Sequence, residues 1–272
     1  MKSLNSSSGF SIISLMIAVS ISIFIIGAIG KMYINSKTAY QSRMALAAAT
    51  DSGRFAIQNL RRTLVMAGRG ILSGDDNPEQ YNNVDNFKRT FPALSPDGST
   101  AESTQGIVDR DDQGSSIIAI RYGSGPSPCG VNGTISSTQT VRYYVENEAL
   151  ICDVVGGQKH TLASGVLMMR ALYGIDLDVD NIANQYLSAA CVDNYTNCSS
   201  SGDSQWSRVV SIRIGLIVSS NEALLPGPFR LAEAESLGIL GERYTAPDTR
   251  HFYKSVSTTI TLRNLNVIVH RQ

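Results

Sequence analysis

The chain has 272 residues, and its 23 basic and 23 acidic side chains give a formal net charge of zero at neutral pH. This balance argues against a dedicated nucleic-acid-binding protein, which normally carries a basic excess. Four cysteines without a Cys-x-x-Cys pair, and only three histidines, make zinc and thiol-redox sites poor interpretations, whereas an even cysteine count fits disulfides in an oxidising compartment.

The first predicted element is an apolar helix. Residues 10–29 form an uncharged run of 20 residues, about the length that crosses a bilayer as a helix. The alternative is a cleaved secretory signal, with residues 28–30 as the cleavage site, but such signals contain only roughly 7–15 apolar residues. Because lysines flank the run on both sides, charge does not give the orientation. The cysteines favour a chain whose bulk lies outside the cytoplasm.

We expect the helix to continue beyond Lys31, because no proline occurs between Phe10 and Pro78. Residues 68–70 (Gly-Arg-Gly) are a plausible stop, so one helix would span residues 10–67, roughly 87 Å. Apolar or small residues recur at three- or four-residue steps in its second half: Leu46, Gly53, Ile57, Leu60, Leu64 and Ala67. Three basic residues lie off this stripe: Arg54, Arg61 and Arg62. The helix is therefore predicted to be apolar all round at first and amphipathic afterwards.

The periodicity changes after Gly70. Residues 73–115 are polar and rich in Asp, Asn, Gly and Pro, which predicts a long loop region with little regular structure. Apolar and alternating segments then predict strands at residues 116–123, 140–147, 149–155, 164–174, 208–219 and 257–269. Asn147 and Glu148 form the short turn of a predicted hairpin. The expected fold class is α+β, with a long N-terminal helix packed on an antiparallel sheet through its C-terminal half.

Gly9 and Phe10, followed by the apolar helix, resemble the class III signal of type IV prepilins. The resemblance implies cleavage after Gly9 by a prepilin peptidase, methylation of the new Phe10 amine, and retention of the helix in a filament core. Four further stretches resemble the PilW-type minor pilins: residues 51–68, 171–189, 206–220 and 252–265. The implied division is a leader (1–9), a transmembrane and filament-core helix (10–30), an amphipathic continuation (31–70) and a periplasmic β-rich head (71–272).

The sequence departs from the family pattern at Ser14. Most pilins carry Glu at this fifth mature position, where it is thought to pair with the amine of a neighbouring subunit. One interpretation is that other contacts compensate, helped by close packing of the small residues Ser14, Ala18 and Ser22 on one helix face. The other is that the subunit lies at or near the fibre tip, where no subunit above it presents an amine.

The four cysteines allow three connectivities. Cys191 and Cys198 bracket a short loop that a disulfide would close, which leaves Cys129 to pair with Cys152 on the predicted hairpin. Proximity in sequence favours this pairing over the others.

Three aspartates alternate in the sequence, Asp176, Asp178 and Asp180, like the start of a calcium loop. The pattern then fails, because its sixth position is Asn181 rather than Gly and its twelfth is Leu187 rather than Glu. A solvated turn is the preferred interpretation and a metal site the weaker one. The sequence contains no nucleophile elbow, Walker loop or His-Glu-x-x-His motif. We therefore expect no catalytic residues and no cofactor.

The resemblance implies a minor pilin of a Gram-negative type IV pilus, which primes assembly and sits at or near the fibre tip. Its implied partners are other minor pilins, the major pilin, the inner-membrane assembly platform, the prepilin peptidase and, optionally, a tip adhesin. The protein would start in the inner membrane, with its head in the periplasm, and end in the extracellular pilus.

Two alternatives remain open. One is a minor pseudopilin of a type II secretion system. The other is a pilus-tip subunit that contributes to adhesion or to DNA uptake in natural transformation. DNA binding is not indicated by the overall charge, although residues 31–70 carry a local basic excess that could contact DNA or anionic lipid. The preferred interpretation of that excess is a solvated helix face or contact with acidic partners.

Overall fold

A computed structural model describes residues 11–70, 91, 93–94, 100–101, 114–178, 180–193, 198, 205–220 and 234–266. Its first element, helix α1, spans Ile12–Leu64 without interruption. Its 53 residues give a length of about 80 Å. The helix gives way to a turn over residues 65–70, where Gly68 and Gly70 adopt φ angles of 81° and 74°. Glycine tolerates this left-handed conformation and commonly ends helices. The predicted long helix is therefore confirmed.

The two halves of α1 have different surroundings. All residues from 11 to 37 are exposed, whereas the C-terminal half buries one face against the head. The buried residues are mostly small: Ala45, Ala49, Gly53, Ala56, Leu60, Thr63 and Leu64. The predicted stripe is wrong in one member, because Leu46 is 43% exposed. Small side chains occupy the contact because the helix lies very close to the strands beneath it.

The head is built from antiparallel strands, as expected for the α+β class. In chain order the strands are β1 Ala93–Leu94, β2 Thr100–Ala101, β3 Ile118–Tyr122, β4 Gly125–Pro126, β5 Thr134–Ile135, β6 Gln139–Glu146, β7 Ala149–Val154, β8 Lys159–Ser164, β9 Val166–Ile175, β10 Gln185–Leu187, β11 Val209–Ser219, β12 Ser236–Ile239, β13 Glu242–Thr245 and β14 Tyr253–Thr261. Short helices follow β10 (α2, Ala189–Asp193) and β14 (α3, Arg263–Asn266).

Eight of these strands form two four-stranded sheets rather than one, and the other six pair as the two-stranded sheets β1-β2, β4-β5 and β12-β13. The first sheet has the order β3-β6-β7-β8 and the second the order β10-β9-β11-β14. Helix α1 packs against β8 of the first sheet and against β11 and β14 of the second. The main core lies where the two sheets and the helix meet, and it includes Leu60, Tyr143, Met169 and Ile214.

The hairpin between β6 and β7 has the predicted turn. Asn147 and Glu148 both adopt positive φ angles, 51° and 57°. Two successive residues of this kind are typical of the type I′ turn, whose twist matches that of the strands it joins.

The end of the chain differs from the prediction. The strand expected at residues 257–269 ends at Thr261, and residues 263–266 are helical. The Asn264 side chain donates hydrogen bonds to the carbonyls of Val65 (2.8 Å) and Ala67 (3.2 Å). These bonds satisfy carbonyl groups at the end of α1, which explains why the chain leaves the sheet here. Residues 267–269 lie outside the described residues, as does most of the predicted loop at 73–115.

A smaller core covers the outer face of the second sheet. The hairpin β12–β13 places Ile239 over Met168 and Ile217. Beneath the same hairpin, Arg170 is buried and pairs with Glu242 at 3.0 Å. This hairpin falls in a part of the chain where no strand was predicted.

Candidate assembly surface

The exposed N-terminal half of α1 is the largest unburied apolar feature of the described chain. Phe24 is 81% exposed and Ile12 77%, and most of the other apolar side chains up to residue 34 are at least half exposed. By length and composition this helix could cross a membrane. Each Å² of apolar surface left in water costs about 25 cal/mol, so the segment needs lipid or other helices around it. This supports membrane anchoring through α1.

The serines of this segment are compatible with such surroundings. Ser20 donates its hydroxyl to the carbonyl of Met16 at 2.9 Å, and Ser22 donates to Ala18 at 2.8 Å. Bonds of this kind satisfy the hydroxyl within the helix, so no water is required.

Ser14 lies in the first turn of α1 and is exposed. Ala18 and Ser22 follow it at four-residue steps, and both are exposed on the same face. The first acidic residue of the whole chain is Asp51. The apolar half of the helix therefore contains no carboxylate that could attract an amine. Gly9 and Phe10, the expected processing site, lie outside the described residues.

The helix becomes basic where it leaves the apolar segment. Residues 31–70 contain seven lysines and arginines but a single acid, Asp51. Lys31, Lys37, Arg54 and Arg61 are all exposed. Arg54 lies about 36 Å beyond Gly30 along the helix axis, so a lipid surface reached by Lys31 is far from Arg54.

A groove separates α1 from the edge of the first sheet; we call it the α1–β8 groove. It is lined by Asp51, Ser52 and Phe55 of the helix and by residues 161–164 of β8, and its volume is about 550 Å³. Sequence reasoning missed this groove. The available signal was Phe55, an aromatic residue off the buried stripe and 56% exposed.

Both disulfides expected from the sequence are present in the structure. Cys129 bonds to Cys152 of β7, with their Cα atoms 5.3 Å apart, and Cys191 bonds to Cys198, with their Cα atoms 5.6 Å apart. The first bridge links a turn to the buried β7 strand, and the second links α2 to Cys198.

The three alternating aspartates come together between β9 and β10. One carboxylate oxygen from each of Asp176, Asp178 and Asp180 lies within 4.8 Å of those of the other two, and only Asp176 is buried. The Asp176 carboxylate accepts the backbone N–H groups of Asp178 (3.2 Å) and Asn181 (2.7 Å). Hydrogen bonds from backbone N–H groups to the side chain of a preceding aspartate are typical of an Asx turn. The arrangement supports the turn interpretation, and the metal site stays an untested alternative.

Comparison with known protein families gives a match that lies in the head. Residues 136–264 match the family model described as Type IV Pilus-assembly protein W. This region of the chain is PilW-like. The match runs from just before β6 to α3 and therefore contains most of both sheets. It confirms the resemblance of the head to PilW-type proteins, whereas residues 51–68, the fourth stretch that carried the resemblance, lie outside the match.

Comparison with curated proteins finds no match. Among solved structures, a type IV-like pilin from Thermus thermophilus is similar in 80% of this chain and 97% of its own, with 14% sequence identity and a TM-score of 0.44.

A PilW-like head carried on an apolar helix supports a pilin-type structural role. The family model that matches the head is described as that of a type IV pilus-assembly protein.

Proposed function

We propose that this protein is a minor pilin that helps to start type IV pilus assembly in the inner membrane and stays at or near the fibre tip. The observation that carries the proposal is a 53-residue helix, exposed over its N-terminal half, whose first carboxylate is Asp51 and which is joined to a PilW-like head. In this proposal the subunits associate head to tail, and such contacts generate an open helical fibre when they do not close into a ring.

The absence of a carboxylate at residue 14 suggests a place in the fibre. A carboxylate costs roughly 2.5–3.5 kcal/mol at the centre of a membrane helix on insertion scales, and residue 14 lies in the first turn, where the cost is smaller. In lipid the attraction between a carboxylate and an amine is strong, and it could draw an incoming subunit into register. A subunit with Ser14 lacks this attraction and would be a poor addition to an existing fibre.

The same subunit can still receive others. After cleavage behind Gly9, the Phe10 amine is free to meet a partner's carboxylate. The protein would therefore enter early, in a small complex with other minor pilins, and would lie among the first few subunits. In this proposal residues 1–9 are removed, residues 10–30 occupy the membrane and then the fibre core, and residues 31–70 connect them to the periplasmic head. The finished location is the extracellular pilus.

The test combines microscopy with one substitution. Immunogold labelling should place the protein at fibre ends, and its deletion should reduce pilus number more than pilus length. Ser14→Glu should increase its incorporation along the shaft, whereas Ser14→Gln, of similar size but uncharged, should not.

Regular shaft labelling of the unaltered protein would contradict tip placement. Equal incorporation of the Ser14→Glu and Ser14→Gln variants would show that charge at residue 14 does not determine where the subunit is placed. Co-purification with secretion pseudopilins instead of pilus subunits would move the protein to a type II secretion system.

A further inference from the structure

Three arginines of α1 lie along one line of the helix. In sequence, Arg54 follows Arg43 by 11 residues and Arg61 follows Arg54 by 7. Because successive residues of an α-helix are rotated by about 100°, both steps return to within about 20° of the same direction. All three side chains are exposed, and from the first to the last the line is about 27 Å long.

The head adds a fourth cation to this side of the helix. The Lys254 ammonium group of β14 donates a hydrogen bond to the Thr50 hydroxyl at 3.4 Å. Thr50 lies one helical turn before Arg54, so the ammonium group is held between the levels of Arg43 and Arg54. We call Arg43, Lys254, Arg54 and Arg61 the basic line.

The basic line is not neutralised within the part of the chain that the structure describes. None of its four cations forms an ion pair there. Asp51 is the only acid of residues 31–70, and it lies about 60° around the helix from Arg54 without pairing with it. The line is therefore available to an acidic group from another molecule.

The residue type favours an interface over a solvated surface. The cations close to the apolar segment are lysines, Lys31 and Lys37, whereas the three helical members of the basic line are all arginines. A guanidinium group is less strongly hydrated than an ammonium group and binds a carboxylate through two parallel N–H bonds. Arginine is for these reasons the preferred cation of ion pairs at interfaces.

Lipid and DNA fit the basic line poorly. Arg54 and Arg61 lie about 36 Å and about 47 Å beyond Gly30, and charge effects fade over about 8 Å at physiological salt, so a lipid surface at the end of the apolar segment does not reach them. Attraction to DNA comes from a basic excess, and this chain has a formal net charge of zero.

The spacing of the charges fits a second helix. Carboxylates placed 11 and 7 residues apart on another α-helix lie about 17 Å and about 11 Å apart along one line, as the arginines do. A helix beside α1 can therefore bring an acid to each arginine without bending.

We propose that the basic line binds an acidic α-helix of another pilus subunit. Asp or Glu side chains along one face of that helix pair with the three arginines, and Lys254 adds a contact from the head. The inference rests on the proposed pilus function, because it takes the partner from the same fibre.

The test places a benzophenone-bearing phenylalanine analogue at position 58 of the full-length chain, in cells that make the pilus. Gln58 is exposed on α1 between Arg54 and Arg61. Position 182, where Ile182 is 66% exposed on the loop after β9, is the matched control. Light should cross-link position 58 to a helical segment of a pilin-type subunit with several acids on one face, and position 182 should give no such product.

Charge substitutions test the pairing. Arg54→Glu/Arg61→Glu should lower the cross-linking yield about tenfold, because close like charges across an interface repel. Arg54→Lys/Arg61→Lys, which keeps the charge, should retain at least half of the yield. Arg243→Glu, at an exposed arginine of β13 away from the line, should leave the yield unchanged. An equal loss in the Glu and Lys double variants would contradict recognition by charge.

A charge swap separates pairing from misfolding. Once the cross-linked segment is identified, its acids can be changed to arginine and combined with Arg54→Glu/Arg61→Glu. The yield should then rise at least fivefold above that of the double variant alone, and no recovery would contradict direct pairing. Cross-links from position 58 to lipid, to a second copy of this chain or within the chain itself would each overturn the proposed partner. Binding of a DNA duplex by the full-length chain in detergent, lost in Arg54→Glu/Arg61→Glu, would assign the line to DNA instead.

The inference and the function can fail separately. If the protein co-purifies with pilus subunits, and position 58 gives no cross-link while Arg54→Glu/Arg61→Glu leaves the co-purification intact, the basic line has no such role. If it co-purifies with no pilus subunit at all, the pilus function itself is wrong.

Discussion

Gly53 of α1 lies directly against Val256 of β14: a Cβ atom placed on Gly53 would stand 3.2 Å from the Val256 Cγ2 atom. It would also stand 3.5 Å from the Val218 Cγ2 atom of β11. The helix therefore touches two strands of the second sheet at a point where it has no side chain. This contact sets how closely the helix and the head approach.

Gly53→Leu should lower the free energy of unfolding by about 2–3 kcal/mol, because the added atoms have no space between the helix and the sheet. Denaturation of the full-length chain in detergent can be followed by the fluorescence of Trp206, the only tryptophan. Trp206 is buried against Tyr173, with ring centroids 4.9 Å apart, so it reports on the head core. Gly30→Leu is the control, because no atom lies within 4 Å of a Cβ there, and an equal loss in both variants would contradict the contact.

Removing one partner of the Arg142–Asp153 ion pair should be costly. The pair joins β6 to β7, and its side chains are only 18% and 6% exposed. Asp153→Leu leaves a largely buried guanidinium without its partner and should cost about 3–5 kcal/mol of unfolding free energy. The double variant Arg142→Leu/Asp153→Leu should recover most of that loss.

The exposed pair Lys159–Glu146, at 3.6 Å and with side chains 57% and 46% exposed, provides the comparison. Glu146→Leu should cost less than about 1 kcal/mol, because surface ion pairs contribute little. If Asp153→Leu and Glu146→Leu lowered the free energy of unfolding by similar amounts, burial of the Arg142–Asp153 pair would not be the cause of the larger cost predicted for it.

Asp248 should make stability depend on pH at the acid end. Partial burial alone would raise its pKa, but the backbone N–H of Arg250 and the side chain and N–H of His251 donate hydrogen bonds that lower the pKa to about 2. Because this value is below the ordinary 3.8, the stabilisation is present above pH 4 and is lost as pH falls through 2. About a third of the side chain is exposed, so solvent screening limits its contribution to about 1 kcal/mol.

Asp248→Asn tests this relationship. The unfolding free energies of the variant and the unaltered chain should differ by about 1 kcal/mol at pH 6 and should converge between pH 4 and pH 2. Asp178→Asn, in an exposed loop, should follow the unaltered chain throughout. A constant difference over the whole range would show that the carboxylate charge is not the cause.

The two disulfides should contribute unequally. Cys129 and Cys152 are 23 residues apart, whereas Cys191 and Cys198 are 7 apart. Loop-closure entropy then predicts about 3 kcal/mol for the longer loop and about 2 kcal/mol for the shorter. Paired Cys→Ser variants, compared by denaturation, give the order.

Peptide mapping of the non-reduced protein from the periplasm should recover these two bridges, and free thiols or a Cys152–Cys191 link would contradict the pairing.

The mature chain should begin at N-methylated Phe10. The reason is that the Gly9–Phe10 step precedes the apolar run, so cleavage there leaves the helix in the protein. Mass spectrometry of the N-terminal peptide decides the matter. A mature chain that starts at Lys31 would mean that the apolar helix is a discarded signal, and the assembly proposal would then be wrong.

The elements with a strong local pattern could be predicted from the sequence. Helix α1 has no proline, and β6, β7 and β11 show apolar alternation or β-branched runs, so their positions follow from local chemistry. The Asn147–Glu148 turn and both disulfides also lie within short stretches of chain.

The parts that depend on distant contacts could not be predicted. Strand β8 begins with Lys159 and His160, and only Leu162 is a large apolar residue, so its pattern is too polar to indicate a strand. The hairpin β12–β13 is held by Met168 and Ile217 of other strands, and Arg170 is buried because Glu242 reaches it from that hairpin. The α1–β8 groove shares this origin, since it exists only where the helix and a sheet edge meet.

The small-residue stripe of α1 has a mechanical consequence. The helix contacts the head from Ala45 to Leu64, a length of about 29 Å, and Asn264 holds the turn that follows through hydrogen bonds to the carbonyls of Val65 and Ala67. A pull on the membrane-side half of the helix would therefore act parallel to the whole contact. Sliding breaks many contacts at once, whereas peeling breaks them one by one. The joint between helix and head should therefore resist tension along the helix axis better than tension across it.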